Sequence, residues 1–300
     1  MTDSDGNVIA ECAMFANAYG WGPIRMANLQ IGGESAASLP IQVIGATEYA
    51  ALVPRDCSSI GTPENTVASL GANGVLGIGP FAQDCGTFCS QSADAGLYYI
   101  CRTGSCSPAM VNLLQQVPNP VTFFAADNNG VVLSFPSVPV YGTENLSGTL
   151  TFGVDTQSNN VLGGAKVYAA DQYGYITTVY KGISYSDSLL DSGSSGHFFN
   201  DNAIPQCSDG SGFYCPASTL NLSAVIAGQD GNSGSVNFTI GNADNMLADS
   251  PDATAFGQLG GTNGDAAGFD WGLPFFFGRT VYTVVEGYAT SGGTGPYFAY

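Results

Sequence analysis

Alternation of apolar and polar residues with a period of two recurs along the chain and predicts β-strands. Residues 149–154 read Thr-Leu-Thr-Phe-Gly-Val, and residues 235–240 read Ser-Val-Asn-Phe-Thr-Ile. A strand with this pattern buries one face in a core and leaves the other in water. The recurrence of the pattern favours an all-β protein.

A single helix is predicted between two prolines. Ser107 can cap the free N–H groups of a helix, and Pro108 suits the first helical position. Residues 109–117 place apolar side chains at helical spacing, and Pro118 ends the pattern. We expect that helix to bury its apolar side in the core.

Asn129-Gly130 separates the apolar segments 121–126 and 131–135. An Asn-Gly pair between two such segments is typical of a type I′ turn, which requires positive φ angles. The sequence therefore predicts a β-hairpin at this position.

The composition agrees with short strands and tight turns. The 300 residues include 41 glycines, 15 prolines, 15 tyrosines and 17 phenylalanines. Hydrophobic residues make up 44% of the chain and the glycines have no period, which excludes collagen and a disordered chain. This length permits one large all-β domain or two lobes.

The charge restricts the partners of the protein. Six residues are lysine or arginine and 24 are aspartate or glutamate, giving a net charge of -18. Such a surface repels phosphate backbones and anionic lipids, so nucleic acid is excluded as a partner. No run of about 18 apolar residues is present, and no membrane span is expected.

Eight cysteines indicate disulfides and an extracytoplasmic or secreted protein. Proximity and lobe position favour the pairs Cys12–Cys57 and Cys207–Cys215. A zinc site formed by the cysteines at 85, 89, 101 and 106 is the weaker alternative, because neither short spacing is C-x2-C. Residues 1–7 are polar and lack the features of a signal peptide, so we expect a signal peptide further upstream.

The clearest chemical motif begins at Asp191. Leu189 and Leu190 lead an apolar strand into Asp191-Ser192-Gly193-Ser194. Glycine allows a tight loop in which N–H groups point at the carboxylate, and the serine hydroxyls can support the same loop. By itself such a sequence is more commonly a surface turn.

Several motifs, in their order along nearly the whole chain, resemble the pepsin-like aspartic protease superfamily. Tyr19-Gly20-Trp21-Gly22 resembles the flap that closes over a substrate, and residues 74–79 resemble the apolar segment after it. Asp191-Ser192-Gly193 takes the place of the second catalytic loop, and residues 269–276 resemble a late segment with a structural glycine. Within the superfamily, the chain is most similar to an uncharacterised bacterial extracytoplasmic family of unknown function.

The resemblance implies an all-β, bilobal fold. Residues 1–168 would form an incomplete N-terminal lobe with the flap, and residues 169–300 a C-terminal lobe with the Asp191 loop. A peptide or protein substrate would lie in the cleft between the lobes, with Asp191 at its floor and Tyr19 opposite. No cofactor and no metal are expected.

Hydrolysis by this superfamily requires two facing carboxylates that share one proton, so that one acts as base and the other as acid. Asp191 is the one such residue found here, and the resemblance implies an upstream strand with an Asp-Thr-Gly loop. We expect an aspartic endopeptidase in the full-length form and no efficient hydrolysis by this chain. The alternative is an extracytoplasmic binding or structural protein with the same fold.

His197 offers a competing serine-hydrolase interpretation because it follows Ser194 and Ser195 and is the one histidine. However, no G-x-S-x-G sequence occurs, and neighbours in sequence do not form a triad. His197 is therefore expected to be a loop residue, and Trp271 a core residue.

Overall fold

Strands provide most of the regular structure in the computed structural model, which describes residues 1–15 and 17–300. These residues fall into two compact units, Met1–Asn128 and Asn129–Tyr300. The strands of the first unit are β1 Val8–Met14, β2 Ala18–Ile31, β3 Glu34–Gln42, β4 Thr62–Pro63, β5 Tyr98–Arg102 and β6 Ser105–Pro108. Those of the second unit are β7 Gly130–Ser134, β8 Thr149–Phe152, β9 Val167–Ala169, β10 Ile176–Tyr180, β11 Ile183–Leu190, β12 His197–Phe198, β13 Leu220–Ala227, β14 Ser233–Ile240, β15 Gly260–Gly261, β16 Gly268–Trp271, β17 Thr280–Val284, β18 Ala289–Thr290, β19 Gly293–Thr294 and β20 Tyr297–Ala299.

The helices are all short. The α-helices are α1 Arg55–Ser58, α2 Val67–Leu70, α3 Thr87–Gln91, α4 Ala243–Asp249 and α5 Leu273–Phe276. Three 3-10 helices cover Thr47–Leu52, Leu113–Gln115 and Pro120–Phe123. Among the described residues, no helix has both the length and the apolar character to cross a membrane.

The first unit contains one six-stranded sheet in the order β3-β2-β1-β5-β6, with β4 added beside β2. The hairpin of β2 and β3 turns at Gly32-Gly33, where φ angles of 59° and 90° favour glycine. Trp21 and Tyr99 pack edge to face in the core, with ring centroids 5.3 Å apart.

The second unit contains a seven-stranded sheet in the order β14-β13-β10-β11-β16-β12-β15 and a five-stranded sheet in the order β8-β7-β17-β20-β9. The alternating segments lie in β8 and β14, as predicted. In β14, Val236, Phe238 and Ile240 are buried while Asn237 is exposed. The core is rich in aromatic rings, and it includes Trp271, as expected.

The helix predicted at 109–117 is wrong. Ser107 and Pro108 belong to β6, because β5 and β6 form a hairpin that the Cys101–Cys106 disulfide closes. Proline is tolerated in β6 because this strand lies at the edge of the sheet, where a backbone N–H is not needed to pair with a further strand. Beyond it the apolar residues face different ways: Val111 is 2% exposed and Leu114 85% exposed.

The hairpin predicted at Asn129-Gly130 is also wrong. Residues 120–123 form a 3-10 helix, and β7 pairs with β8 and β17 instead. The buried Asn129 side chain donates to the carbonyl of Val154 and accepts from its N–H, both at 2.8 Å. Gly130 is required by a close approach, since a Cβ there would lie 2.3 Å from the Thr283 carbonyl oxygen.

All eight cysteines form disulfides, which removes the zinc alternative. Cys12–Cys57 and Cys207–Cys215 pair as expected. The remaining cysteines pair locally, as Cys85–Cys89 and Cys101–Cys106. Disulfides of this kind form and persist in an oxidising compartment.

The first unit ends at Asn128, earlier than the boundary expected near residue 168. Strands β7 and β8 join the same sheet as β9, β17 and β20, and therefore fold with the second unit. The assignment of the two units to protease lobes remains a prediction.

Candidate active site around Asp191

Asp191 lies where three strands of the second unit meet. The strand β11 ends at Leu190, which pairs with Trp271 of the parallel strand β16. His197, which begins β12, pairs with Trp271 from the opposite side in an antiparallel register. Residues 191–196 therefore connect two strands that flank β16, and the connecting loop must pass over its end.

The Asp191 carboxylate accepts hydrogen bonds from its own loop. The Gly193 N–H donates to Oδ1 and the Ser194 hydroxyl donates to Oδ2, both at 2.8 Å. The Asp191 N–H donates to the carbonyl of Trp271 at 3.1 Å, which ties the loop to β16. These donors orient a half-buried carboxylate before any ligand arrives. Ser192 is exposed, and its hydroxyl contributes no bond to this arrangement.

Gly272 allows the loop to pass closely over the end of β16. A Cβ at this position would lie 2.0 Å from the carbonyl oxygen of Gly196 and 2.7 Å from that of Ser194. The next residue, Leu273, donates its N–H to the Ser194 carbonyl at 2.7 Å. The glycine in the late segment, predicted to be structural, therefore has a specific steric reason.

Asp270 is a second carboxyl group beside the loop, and the sequence interpretation missed it. Burial raises the pKa of Asp270 to about 7, a Ser194 hydrogen bond opposes this rise, and the Asp191 charge adds to it. One oxygen, Oδ1, is buried without a hydrogen-bond partner. The available signal was an acidic residue inside an otherwise apolar segment, Phe269-Asp270-Trp271.

The residues expected in a flap lie inside the first unit. Tyr19 and Trp21 are 7% and 1% exposed in β2, which pairs with both β1 and β4 at this level. The Trp21 indole donates to the Tyr49 carbonyl at 3.1 Å. A Cβ on Gly22 would lie 1.9 Å from the Val43 carbonyl oxygen, whereas Gly20 faces the Ile44 side chain.

This geometry is that of core packing. The hairpin of β1 and β2 instead presents Met14 and Phe15, which are 44% and 37% exposed, near its turn. Ala16 lies outside the described residues. The position of Tyr19 opposite Asp191 remains a prediction that nothing within the first unit supports.

His197 is a buried strand residue and not the loop residue expected. It is 2% exposed and packs edge-on against Trp271 and Phe238. Burial lowers the pKa of His197 to about 3, so the imidazole is neutral near pH 7. The Ser194 hydroxyl donates to Asp191 and not to His197, so this serine is not activated by the histidine.

The chemistry available at the site is that of a positioned carboxylate. Asp191 offers a carboxylate that its own loop orients, and the neighbouring Asp270 carboxyl has a raised pKa that keeps it protonated in acid. Two-carboxylate hydrolysis also requires an acid that faces Asp191 across the substrate. Asp270 instead belongs to β16, beside the loop.

Comparison with solved structures finds a similar fold in the aspartic proteinase from Irpex lacteus. The TM-score is 0.50 at 15% identity, over 97% of this chain and 80% of that one. At this identity the likeness shows the fold alone, which is all-β and pepsin-like. A search of curated proteins finds no match. A family model matches residues 1–300, and the chain therefore belongs to the family described as protein of unknown function (DUF3443).

Proposed function

We propose that this protein is an extracytoplasmic peptidase of the aspartic type, with Asp191 as one of its two catalytic carboxylates. The observation that carries the proposal is the Asp191 carboxylate, which receives the Gly193 N–H and the Ser194 hydroxyl at the crossing of β11, β16 and β12. A pepsin-like fold gives this arrangement its context. The four disulfides support an extracytoplasmic location.

In this proposal Asp191 takes a proton from the attacking water, while a second carboxyl donates one to the substrate carbonyl. Ser194 and Asp270 are positioning residues. The neutral Asp270 carboxyl keeps Ser194 in place, and Ser194 orients Asp191. A peptide is the substrate class because attack of water on its carbonyl is the step that two such carboxyls promote.

The second carboxyl is assigned to an Asp-Thr-Gly loop upstream of Met1. Support comes from the first unit, where residues 74–79 form no strand and Val75 is 63% exposed. In the second unit the strand β16, which also leads to a glycine, Gly272, lies between β11 and β12. An added strand beside residues 74–79 would give the first unit the same arrangement.

A non-proteolytic binding protein is the second candidate. It is favoured by two observations: Asp-Ser-Gly occurs once in the sequence, and Tyr19 and Trp21 are buried in the core. A protein with this fold and one carboxylate loop would hold a peptide or glycan without cleaving it.

The two candidates are separated by assaying two forms, residues 1–300 and the protein extended upstream with its native sequence. Both are incubated with an unfolded protein substrate between pH 3 and 7. The peptidase proposal expects cleavage by the extended form and little by the shorter one, because each positioned acid or base contributes about 10²–10⁴-fold. A folded extended form that is inert at every pH would favour the binding protein.

A further inference from the structure

The second unit contains a cavity of about 530 Å³ that the proposed function does not use. Its wall is formed by the hairpin of β13 and β14, the end of β16, and residues of and just after α5. Pockets that hold small molecules have volumes of roughly 300–1,000 Å³. Residues 191–196, all described by the structure, do not line the cavity, so the proposed catalytic carboxylate has no part in it.

The wall combines apolar and neutral polar side chains. Leu222, Pro274 and Phe275 are among the apolar residues, and Asn221 and Asn237 are among the polar ones. Small-molecule sites generally have this composition, since apolar contacts supply affinity and a few polar groups fix the orientation of the ligand. The cavity therefore suits a molecule with an apolar body and a small number of polar groups.

Arg279 is the one charged side chain in the wall, as far as the structure describes the chain. His197 also lines the cavity, but its lowered pKa of about 3 leaves the imidazole neutral near pH 7. The sequence has 24 acidic and six basic residues, yet none of the acidic residues among those described contributes to this wall. The cavity is thus a positive site in a protein with a net charge of -18.

The Arg279 guanidinium is positioned but not neutralised. Its Cζ atom lies 4.6 Å from the centroid of the Phe275 ring, and Nη1 donates to the Phe275 carbonyl. Ion pairs between described side chains involve Arg25 and Lys181, so Arg279 has no carboxylate partner there. Burial lowers the pKa of Arg279, but a guanidinium stays charged at neutral pH.

Most of the donors of this guanidinium are unused. A guanidinium presents several N–H groups in a planar fork, and a carboxylate can accept two of them in parallel. The side chain of Arg279 makes its one hydrogen bond within the described residues to Phe275. A bound anion would supply the missing acceptors and the missing negative charge together.

We propose that this cavity binds a small apolar carboxylate, which accepts the free N–H groups of Arg279 while its apolar body lies against Leu222 and Pro274. One carboxylate carries one negative charge, which matches the single cation of the wall. A phosphate would bring a second charge that no group of the wall balances. A neutral amide of the same shape accepts a hydrogen bond but leaves the guanidinium charge unbalanced.

The test uses N-acetylphenylalanine, N-acetylphenylalanine amide and 2-phenylethylamine as anionic, neutral and cationic probes, with calorimetry at pH 7. We expect the acid to bind at least about tenfold more tightly than the amide, because hydrogen bonds between charged groups are roughly twice as strong as neutral ones. The amine should not bind. These measurements need no proteolytic activity, so the result is independent of the proposed function.

His197 reports whether the acid binds in this cavity. It is the one histidine in the sequence and it lines the wall, so a phenyl ring bound there should shift its imidazole NMR signals. We expect the shift to follow the same concentration dependence as the heat of binding. Binding of the acid without a shift of these signals would place the site elsewhere and overturn the proposal.

The variant Arg279→Gln removes the charge and the fork. It should lose at least about tenfold in affinity for the acid. Arg55→Gln, at an exposed arginine of α1 outside the cavity, is the matched control and should bind the acid like the wild type. Circular dichroism confirms the folding of both variants. If Arg279→Gln does not fold, the preference of the wild type for the acid and the His197 shift decide the question.

Equal affinity for the acid and the amide would overturn the proposal, and so would absence of binding by the acid or a folded Arg279→Gln protein with wild-type affinity. The same measurements are repeated on the extended form, which should also bind the acid. If residues 1–300 bind the acid and the extended form does not, upstream polypeptide fills the cavity in the longer protein, and the ligand site is refuted.

Discussion

Gly272 lies so close to Gly196 that a Cβ on Gly272 would be 2.0 Å from the Gly196 carbonyl oxygen. This contact lets the loop carrying Asp191 pass over the end of β16, and both partners in the contact are backbone. A side chain at position 272 would therefore displace the loop or the strand.

The substitution Gly272→Ala is expected to destabilise the protein by at least about 1–3 kcal/mol, the usual cost of forcing extra volume into a packed site. Gly264→Ala is the matched control, since no atom lies within 4 Å of a Cβ built there. Urea unfolding of both variants measures the difference. A Gly272→Ala protein as stable as the control would show that the loop is not packed as described.

Because burial raises the pKa of Asp270, the protein should be more stable in acid than near neutral pH. Its pKa is about 7 in the folded protein against 3.8 in an unfolded chain, so only the folded state keeps the proton between these values. The free energy of unfolding therefore decreases as pH rises from about 4 to about 7, by roughly 2–4 kcal/mol. Asp270→Asn should remove this part of the pH dependence.

The comparison requires urea unfolding of the wild type, Asp270→Asn and Asp252→Asn at several pH values. Asp252 is exposed, and its variant should follow the wild type. If Asp270→Asn has the same slope as the wild type between pH 4 and 7, the carboxyl is not buried in its neutral form.

His197 should remain neutral through the whole range in which an exposed histidine titrates. Burial lowers its pKa to about 3. Because it is the one histidine in the chain, its imidazole NMR signals are unambiguous. We expect no titration of these signals between about pH 4.5 and 8, the range in which ordinary histidines titrate. A titration midpoint near pH 6.5, roughly the value of an exposed histidine, would show that His197 is accessible to solvent. The serine-hydrolase interpretation would then have to be considered again.

The Cys12–Cys57 disulfide should stabilise the protein more than Cys85–Cys89. The first joins residues 45 apart and the second residues 4 apart, and constraining a longer loop removes more entropy from the unfolded chain. We expect the double alanine variant of Cys12 and Cys57 to lose about 3–4 kcal/mol, and that of Cys85 and Cys89 clearly less. Thiol titration of the unreduced wild type should detect no free thiol, and the reverse order of stabilities would contradict this account.

Local patterns predicted the parts of the fold that depend on local chemistry. The strand ending at Leu190, the loop from Asp191 to Ser194 and the alternating strand β14 all follow from residue types a few positions apart. The predicted helix failed because Pro108 is drawn into β6 by pairing with Tyr99 and by the Cys101–Cys106 disulfide. Propensity is a weak guide where such tertiary constraints exist.

The missed groups of the candidate site depend on burial, which a single sequence does not display. Asp270 is an acidic residue inside an apolar segment, and its raised pKa arises because segments distant in the sequence enclose it. The environment of Tyr19 and Trp21 could not be predicted from the sequence either. Their motif resembles a substrate flap, yet pairing of β2 on both sides buries them in the core.

The role of Asp191 is tested most directly by one rate measurement. Peptide cleavage by the extended protein is measured between pH 3 and 7 for the wild type, Asp191→Asn and Asp187→Asn, with circular dichroism to confirm folding. Asparagine keeps the hydrogen bonds around Oδ1 but cannot take a proton from water, so Asp191→Asn should lose at least about 10²-fold in kcat. Asp187→Asn, in β11 before the loop, should retain the wild-type rate. A folded Asp191→Asn protein that cleaves as fast as the wild type would contradict the assignment of Asp191 as a catalytic carboxylate.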